Sequence, residues 1–577
     1  MKKKVSIKTT KATKKTAPAI FGPSIDEVNK LGALYSQRQY TEAEKLARDL
    51  IQRFPKHIFA WKVLGAALHA EGKSQESLQV KEATIQLAPN DPEACNNLGN
   101  TYQELNRFAE AEKYLRHAIK IKPDSFMAFN NLGLTLEKQE RFAEAENCYQ
   151  QSIKIQPDYA AAHYNYGNTL QKLDRLEEAL KSYQAAINFR PQYIEAMNNY
   201  AGVLQKLDRS QDAEDCCRQI LALQPGHSEA LHNLAVSLER QERLAEAESC
   251  YRKSLSLKPD SADTHHNFSA LLILTGQWRE GWAEYQWSYR APSAKKPVIN
   301  PASSARHWEG EPLQGKTILI HAEQGFGDMI QFVRYSQYLQ ERGARVHVLV
   351  AKPLIEIFKT IPWVDRVIGV NDLLQANCDF WVFPLELPYW FQTTLENVPV
   401  NIPYLSIDAN KSEWWKIWLD KQIPVNHKRI GLVWAGNPVQ GNDKNRSLTL
   451  SQFSVFANLI NITFVSLQLG EKAQQELKNA PAGLNILDAG RFIEDFTDSA
   501  ALMANLDVLI SVCSAPAHLA GALNLPVWTI ICRPFDWRWL LDRDDSVWYK
   551  SMRLFRQPSR GDWASVLNEV KTALIAL

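Results

Sequence analysis

Along the first 290 residues, apolar positions recur with a helical period, and the helices they predict are interrupted at fixed intervals. Prolines stand at Pro55, Pro89, Pro123, Pro157, Pro191, Pro225 and Pro259, each 34 residues beyond the last. Small residues keep the same step at Gly65, Gly99, Gly133 and Gly167, continued by Ala201, Ala235 and Ser269. A third column runs through Ala111, Ala145, Ala179, Ala213 and Ala247. Proline ends a helix because it cannot continue the hydrogen-bond ladder, and small residues let two helices approach closely. The period predicts about eight helix–turn–helix units over 25–290, the first one residue short and the last carrying Gly281 where alanine recurs.

After Arg290 the pattern changes. Residues 291–307 read as a linker by composition. Strand-like runs follow at Thr317–His321, Val346–Val350, Arg366–Val370 and Phe380–Pro384, then a helical segment near Ser412–Leu419. A second series has strands at Ile430–Trp434, Phe464–Leu467, Asn485–Leu487, Val508–Ser511 and Val527–Ile531, with an amphipathic helix over Trp563–Leu577. Strands alternating with helices predict parallel sheets with right-handed crossovers. Two series predict two Rossmann-like lobes, 308–425 and 426–577, with ligands at the C-terminal ends of their strands.

The 34-residue unit, with segments such as Trp61-Lys-Val-Leu-Gly65 and Asn97-Leu-Gly-Asn-Thr-Tyr102, resembles the tetratricopeptide repeat, which implies an α-solenoid with a concave groove. One more column falls on the first helix of each unit: Asn97, Asn131, Asn165, Asn199, Asn233 and Asn267. It is similar to the asparagine ladder of the eukaryotic O-linked N-acetylglucosamine transferases. An amide offers one acceptor and two donors, which suits the backbone of an extended polypeptide. The alternative is that these amides only tie one repeat to the next. Cys148, Cys216 and Cys250 share one position on the second helix and read as core filling.

Three loops carry candidate chemistry. His321-Ala-Glu-Gln-Gly325-Phe-Gly327-Asp328 follows the first strand and opens a helix, and its glycines permit a tight turn. Asp328 is then either an N-cap or a general base for an acceptor hydroxyl. Gly436 and Asn437 leave a second-lobe strand for a loop with Lys444 and Arg446, which is either a solvated charged loop or a cradle for a diphosphate. Cys513 and Ser514 lead into a helix start that can hold an anion, flanked by His518, which is otherwise a packed core residue. Gly310 to Thr317 fits the P-loop expression but precedes its strand, so it is rejected as a phosphate loop. Asp542-Arg-Asp544 follows an apolar run rather than a strand end and is discounted as a metal site.

Taken together, the segments His321 to Phe332, Gly431 to Val439, Asn442 to Leu448, Ile510 to Asn524 and Trp537 to Lys550 resemble glycosyltransferase family nine, the heptosyltransferase-like group of GT-B fold. The whole chain looks like bacterial fusions of tetratricopeptide repeats to such a domain. The resemblance implies an inverting, metal-independent transferase with a nucleotide-sugar co-substrate and no further cofactor. Asp328 would be the base, Lys444 or Arg446 would contact the donor diphosphate, and His518 would contact the donor. Gly325, Gly327, Gly436, Asn437, Cys513 and Ser514 would line the donor site. Where the family has Val-Asp-Thr this chain has Val512-Cys513-Ser514, so the expected acid on the donor sugar is missing. The acceptor implied is a Ser or Thr hydroxyl of a polypeptide held in the repeat groove. Other readings are an interaction scaffold with a degenerate transferase domain, and a glycan-directed transferase.

Composition narrows the remaining classes. The 577 residues carry 66 Lys and Arg against 64 Asp and Glu, so no global field favours nucleic acid. Eight cysteines without a CxxC pair, and no apolar run long enough for a membrane span, point to a reduced, cytoplasmic protein. Residues 1–24 begin with a lysine-rich stretch free of acids and read as a solvated tail.

Overall fold

The computed structural model describes residues 22–290, 305–323, 325–375, 377–439 and 443–577. Most of the tail and the linker, together with Gln324 and Asn442, lie outside these. The chain divides into two compact units, 1–225 and 226–577, and the division falls inside the helical array.

In the first unit, six helix pairs follow one another. Their first helices are Ile25–Ser36, Ile58–Ala70, Pro92–Glu104, Phe126–Lys138, Ala160–Lys172 and Ile194–Lys206. Their second helices are Tyr40–Arg53, Ser74–Leu87, Phe108–Ile121, Phe142–Ile155, Leu176–Phe189 and Ser210–Leu223. The first helix has 12 residues where the later first helices have 13, which accounts for the short first period. The recurring alanines Ala111, Ala145, Ala179 and Ala213 are fully buried. A Cβ on Gly133 or Gly167 would come within 2.7 Å of the Tyr149 or Tyr183 ring, so the glycines exist to admit those rings. The turn within each pair passes through one left-handed residue, again every 34 positions: Arg38, Gly72, Asn106, Glu140, Asp174 and Asp208. A salt-bridge column ties the pairs together. Arg141 reaches Glu144 in its own repeat at 2.8 Å and Glu112 of the preceding one at 2.7 Å, and Arg175 does the same with Glu178 and Glu146.

The second unit opens with two further helix pairs, Ser228–Arg240 with Leu244–Leu257 and Ala262–Leu274 with Trp278–Tyr285. In the last pair a Cβ on Gly281 would come within 2.6 Å of Ile273, which explains the glycine there. Two parallel sheets follow. The first contains β1 (Arg306–His307), β2 (Thr317–His321), β3 (Arg345–Val350), β4 (Arg366–Gly369) and β5 (Phe380–Val382), in the order β1-β5-β2-β3-β4. The second contains β6 (Lys428–Val433), β7 (Ile462–Ser466), β8 (Ile486–Asp488), β9 (Val508–Val512), β10 (Val527–Ile531) and β11 (Met552–Arg556), in the order β11-β10-β9-β6-β7-β8. The central strands β2, β7 and β9 are buried at every position, as a sheet covered by helices on both faces requires. Helix Ala409–Gln422 lies in the chain between the two sheets, and helix Trp563–Ile575 closes the sequence. The edge strands β1, at the end of the segment expected to be a linker, and β11 lie outside the strand series that the sequence predicts.

One core cluster spans both sheets and the last helix pair. Trp278 stacks on Trp548 at 5.2 Å, and Trp282 meets Phe332 and Trp537 edge-on. The eighth repeat is thus packed into the α/β core rather than ending in a solvated cap. Among the described residues, no helix is long and apolar enough to cross a membrane.

Candidate functional site

The three loops read from the sequence come together in the second unit. The loop after β2 ends at Gly325, which occupies the cap of helix Phe326–Phe332, so Asp328 sits in the first turn and is not the N-cap. Gly327 faces His518, where a Cβ would lie 2.9 Å from the imidazole Cδ2. The helix bearing Gly327 therefore packs directly against helix Ala515–Ala522, which bears His518 and is capped by Ser514. Pro516 in its first turn needs no N–H there.

Each candidate side chain has a defined setting. Arg538, just before Trp539, forms an ion pair with Asp328 and two bonds of 3.1 Å to Asp536, and donates through Nε to Gln331 at 3.1 Å. Its guanidinium lies 4.0 Å over the Trp537 ring. Burial would lower the Arg538 pKa, but Asp536 and Asp328 overcome that and hold it above its ordinary value. His518 Nδ1 stands 3.1 Å from the Tyr549 hydroxyl, and its ring stacks on Trp539. Burial first, then the nearby Arg538, Arg334 and Arg446, push the His518 pKa well below its usual value, so it is a neutral imidazole. Cys513 accepts the Trp539 indole N–H at 3.1 Å, and burial pushes its thiol up to about 12, so it is no thiolate.

On the opposite loop, Gly436 donates its N–H to Ser447 and leaves no room for a side chain beside Asp443 and Arg446. Arg446 is held by Asp443 at 3.2 Å and donates to the Cys513 carbonyl at 3.0 Å, which joins this loop to the end of β9. Asn437 turns its own loop by accepting the Val439 N–H, and Lys444 is exposed. Ser514 shares a hydrogen bond with Ser511 at 3.2 Å. The rejected P-loop segment leads into β2, with Lys316 paired to Asp379. Arg538 and Gln331 were missed because neither belongs to a glycine loop. The only signal was an arginine between two tryptophans at 537–539.

The asparagine column does form a chain of amides in the first unit. Asn131 donates to Asn96 and Asn165 to Asn130, both at 2.9 Å, while Asn199 donates to Asn168 at 2.8 Å. Each bond crosses from one repeat to the preceding one. In the second unit Asn267 stands 3.5 Å from the His232 Nε2. Asn97 and Asn233 are partly buried, like the rest of the column. A groove of about 850 Å³ is lined by Asn96, Asn97, Asp91, Glu93, Lys122 and the half-exposed Met127.

Comparisons with known proteins bear on the repeats. Family models described as tetratricopeptide repeat match residues 33–92, 92–125, 124–192 and 192–260. Protein FlbA of Caulobacter vibrioides is 24% identical over 330 residues, covering 53% of this chain and 54% of its own. The chain thus spans about half the length of that curated relative. Among solved structures, the anaphase-promoting-complex hetero-tetramer Cut9–Hcn1 is similar at 15% identity, covering 43% of this chain and 49% of that one, with a TM-score of 0.39. YrrB, described as a tetratricopeptide-repeat protein with an unusual peptide-binding site, is 20% identical over 32% of this chain and 96% of its own, with a TM-score of 0.29. By the family-model matches and the run of helix pairs, the helical array is an α-solenoid of tetratricopeptide repeats.

Proposed function

We propose that the chain is a repeat-based protein-binding molecule whose second unit is a GT-B glycosyltransferase, moving a sugar from a nucleotide-sugar donor to a Ser or Thr hydroxyl of the bound polypeptide in the cytoplasm. One observation carries the reading. Residues from four distant segments (Asp328, Arg446, Cys513 with His518, and Arg538) are joined by direct contacts at the C-terminal ends of β2, β6 and β9. In this reading Arg446, Lys444 and the helix start at Ser514 receive the departing diphosphate, an electrostatic stabilisation that grows as the bond breaks. The neutral His518 donates or accepts a hydrogen bond to the donor. The repeats present Asn97, Asn131, Asn165, Asn199, Asn233 and Asn267 to the acceptor backbone through whatever hydrogen-bonding capacity their inter-repeat bonds leave.

A second reading is a binding scaffold without turnover. It is favoured by Asp328, whose carboxylate is engaged by Arg538, by the close contact of Gly327 with His518, and by a thiol at Cys513 where an acid would touch the sugar. The test separates the two. The full chain is incubated with ADP-, UDP-, GDP- and CMP-linked sugars, with and without a library of unstructured polypeptides, and released nucleotide is followed by chromatography. Release from one donor class, stimulated by polypeptide, supports the transferase. A chain that binds polypeptide, melts cooperatively and releases nothing is a scaffold. Release stimulated by a glycan but not by polypeptide would move the acceptor to a saccharide.

A further inference from the structure

Arg538 stands on a short arm, Arg533 to Trp539, that follows β10. The arm is fastened at three places. Arg533 forms an ion pair with Glu242, in the turn of the helix pair Ser228–Arg240 and Leu244–Leu257, and its Nε donates to the Gln557 carbonyl at 2.8 Å. The Trp537 ring meets Trp282 of the last helix pair edge-on at 5.4 Å. The Trp539 indole N–H reaches the Cys513 sulfur at 3.1 Å. Between these two tryptophans the Arg538 guanidinium is engaged on every edge. Its Nε donates to the fully buried Gln331, its Nη1 to both oxygens of Asp536, and its Nη2 to Oδ1 of Asp328. A guanidinium is a rigid planar fork, so holding two of its edges fixes the direction of the third. Asp328 is met at one oxygen only. Its Oδ2 takes no hydrogen bond from the described residues, and the side chain keeps 15% of its surface exposed, so a hydroxyl can reach it. The neighbouring acid Glu323 is a different case. Its Oε2 accepts the Tyr289 hydroxyl at 3.2 Å. Burial, then Asp328 and Glu386, push Glu323 up to about 8 against the pull of Tyr289 and the Leu385 N–H, so it holds its proton at neutral pH.

We propose that Arg538 is a positioning residue of the transfer, which holds Asp328 by one oxygen so that the other meets the acceptor hydroxyl as general base. The assignment rests on the glycosyltransferase reading and adds to it a residue that lies outside the glycine loops. In the step, Oδ2 of Asp328 takes the proton of the acceptor hydroxyl. The acceptor oxygen forms a bond to the anomeric carbon, the bond from that carbon to the phosphate oxygen breaks, and its electron pair leaves with the diphosphate. The proton then passes from the Asp328 carboxyl to solvent. Arg538 itself touches neither substrate. It removes a rotation of the carboxylate that would otherwise have to be frozen as the proton moves.

The test is a double-mutant cycle on the full chain, read as kcat and donor KM with whichever of the ADP-, UDP-, GDP- or CMP-linked sugars it turns over. Arg538→Lys keeps the charge and loses the fork. It should lower kcat by ~100-fold and leave donor KM within about threefold. Asp328→Asn should lower kcat by ~100-fold or more. The double variant should be no more than about threefold slower than Asp328→Asn alone, because residues that act as one unit do not add. A merely structural arginine would instead multiply the two losses. Asp536→Asn frees the opposite edge of the guanidinium and leaves its charge. It should lower kcat by about tenfold, with no further loss beside Asp328→Asn, and it decides the matter if Arg538→Lys does not fold. The assignment is overturned, with the transferase reading intact, if Arg538→Lys keeps kcat, if it acts on donor KM alone, if the losses multiply, or if Asp328→Asn keeps kcat. An unmodified chain that turns over no donor removes the transferase reading itself, and this assignment with it.

Discussion

In the repeats of 22–225, the bonds that tie helices together join positions about one period apart, such as Asn131 to Asn96 and Arg141 to Glu112. In the α/β part of 226–577, some join segments hundreds of positions apart. Buried Arg334 donates to the Trp548 carbonyl, and Arg538 holds Asp328 from 210 residues away. The first arrangement is close to one-dimensional, so its stability adds up from neighbouring interfaces and a local defect stays local. The second needs every segment at once. A repeat array can therefore tolerate variation in its exposed columns, whereas the site depends on one cooperative core.

The largest expected effect tests where that core begins. Trp282 belongs to the repeat pattern by sequence, yet it packs on Phe332 and Trp537. Trp282→Ala should cost about 3–5 kcal/mol and lower the melting of the α/β unit, read by near-ultraviolet circular dichroism. A loss confined to hydrogen-exchange protection of the two last helices would break the comparison.

Next comes pH. Below the unfolded carboxyl value of 4.5, Glu323 is protonated in both states. Between that and about 8, only the unfolded chain loses the proton, so stability falls as pH rises, and above about 8 the loss is complete. Glu323→Gln removes this drift. Its melting temperature should match the unmodified chain near pH ~4 and exceed it at pH ~9, a gap of a few kcal/mol at about 1.4 kcal/mol per pH unit. Parallel melting curves across that range would contradict the buried acid.

Smaller effects sharpen the repeat side. Gly133→Ala forces a methyl onto the Tyr149 ring and should cost about 1–3 kcal/mol, with lost exchange protection confined to Phe126–Ile155. Glu140→Gly relieves a left-handed residue in a turn and should stabilise by about 0.5–1 kcal/mol, read as a higher urea midpoint at constant slope.

The repeats were legible because their determinants are local. A proline, a small residue and an alanine recur at one step, and even the missing residue of the first helix shows as a shortened period. The strands of both sheets were legible from apolar runs, except β1, whose two residues leave no pattern, and β11, whose Met552-Arg-Leu-Phe-Arg556 sequence is interrupted by charge and makes sense only beside β10. The glycine loops announced themselves by composition. Arg538, Gln331 and Tyr289 did not, because their role is set by what lies across the fold from them. Of the two roles open to Asp328, the cap is taken by Gly325, which reaches the helix start first.

We propose that the loops around Arg446, Ser514 and Arg538 form a donor site. Calorimetric titration of ADP-, UDP-, GDP- and CMP-linked sugars into the full chain tests it most directly. One class should bind with a Kd of about 1 mM or below, Arg446→Ala should weaken it about tenfold or more, and Asn131→Ala should leave it unchanged. No heat from any class at millimolar concentration, for a chain that melts cooperatively, would contradict the claim and leave a protein-binding scaffold.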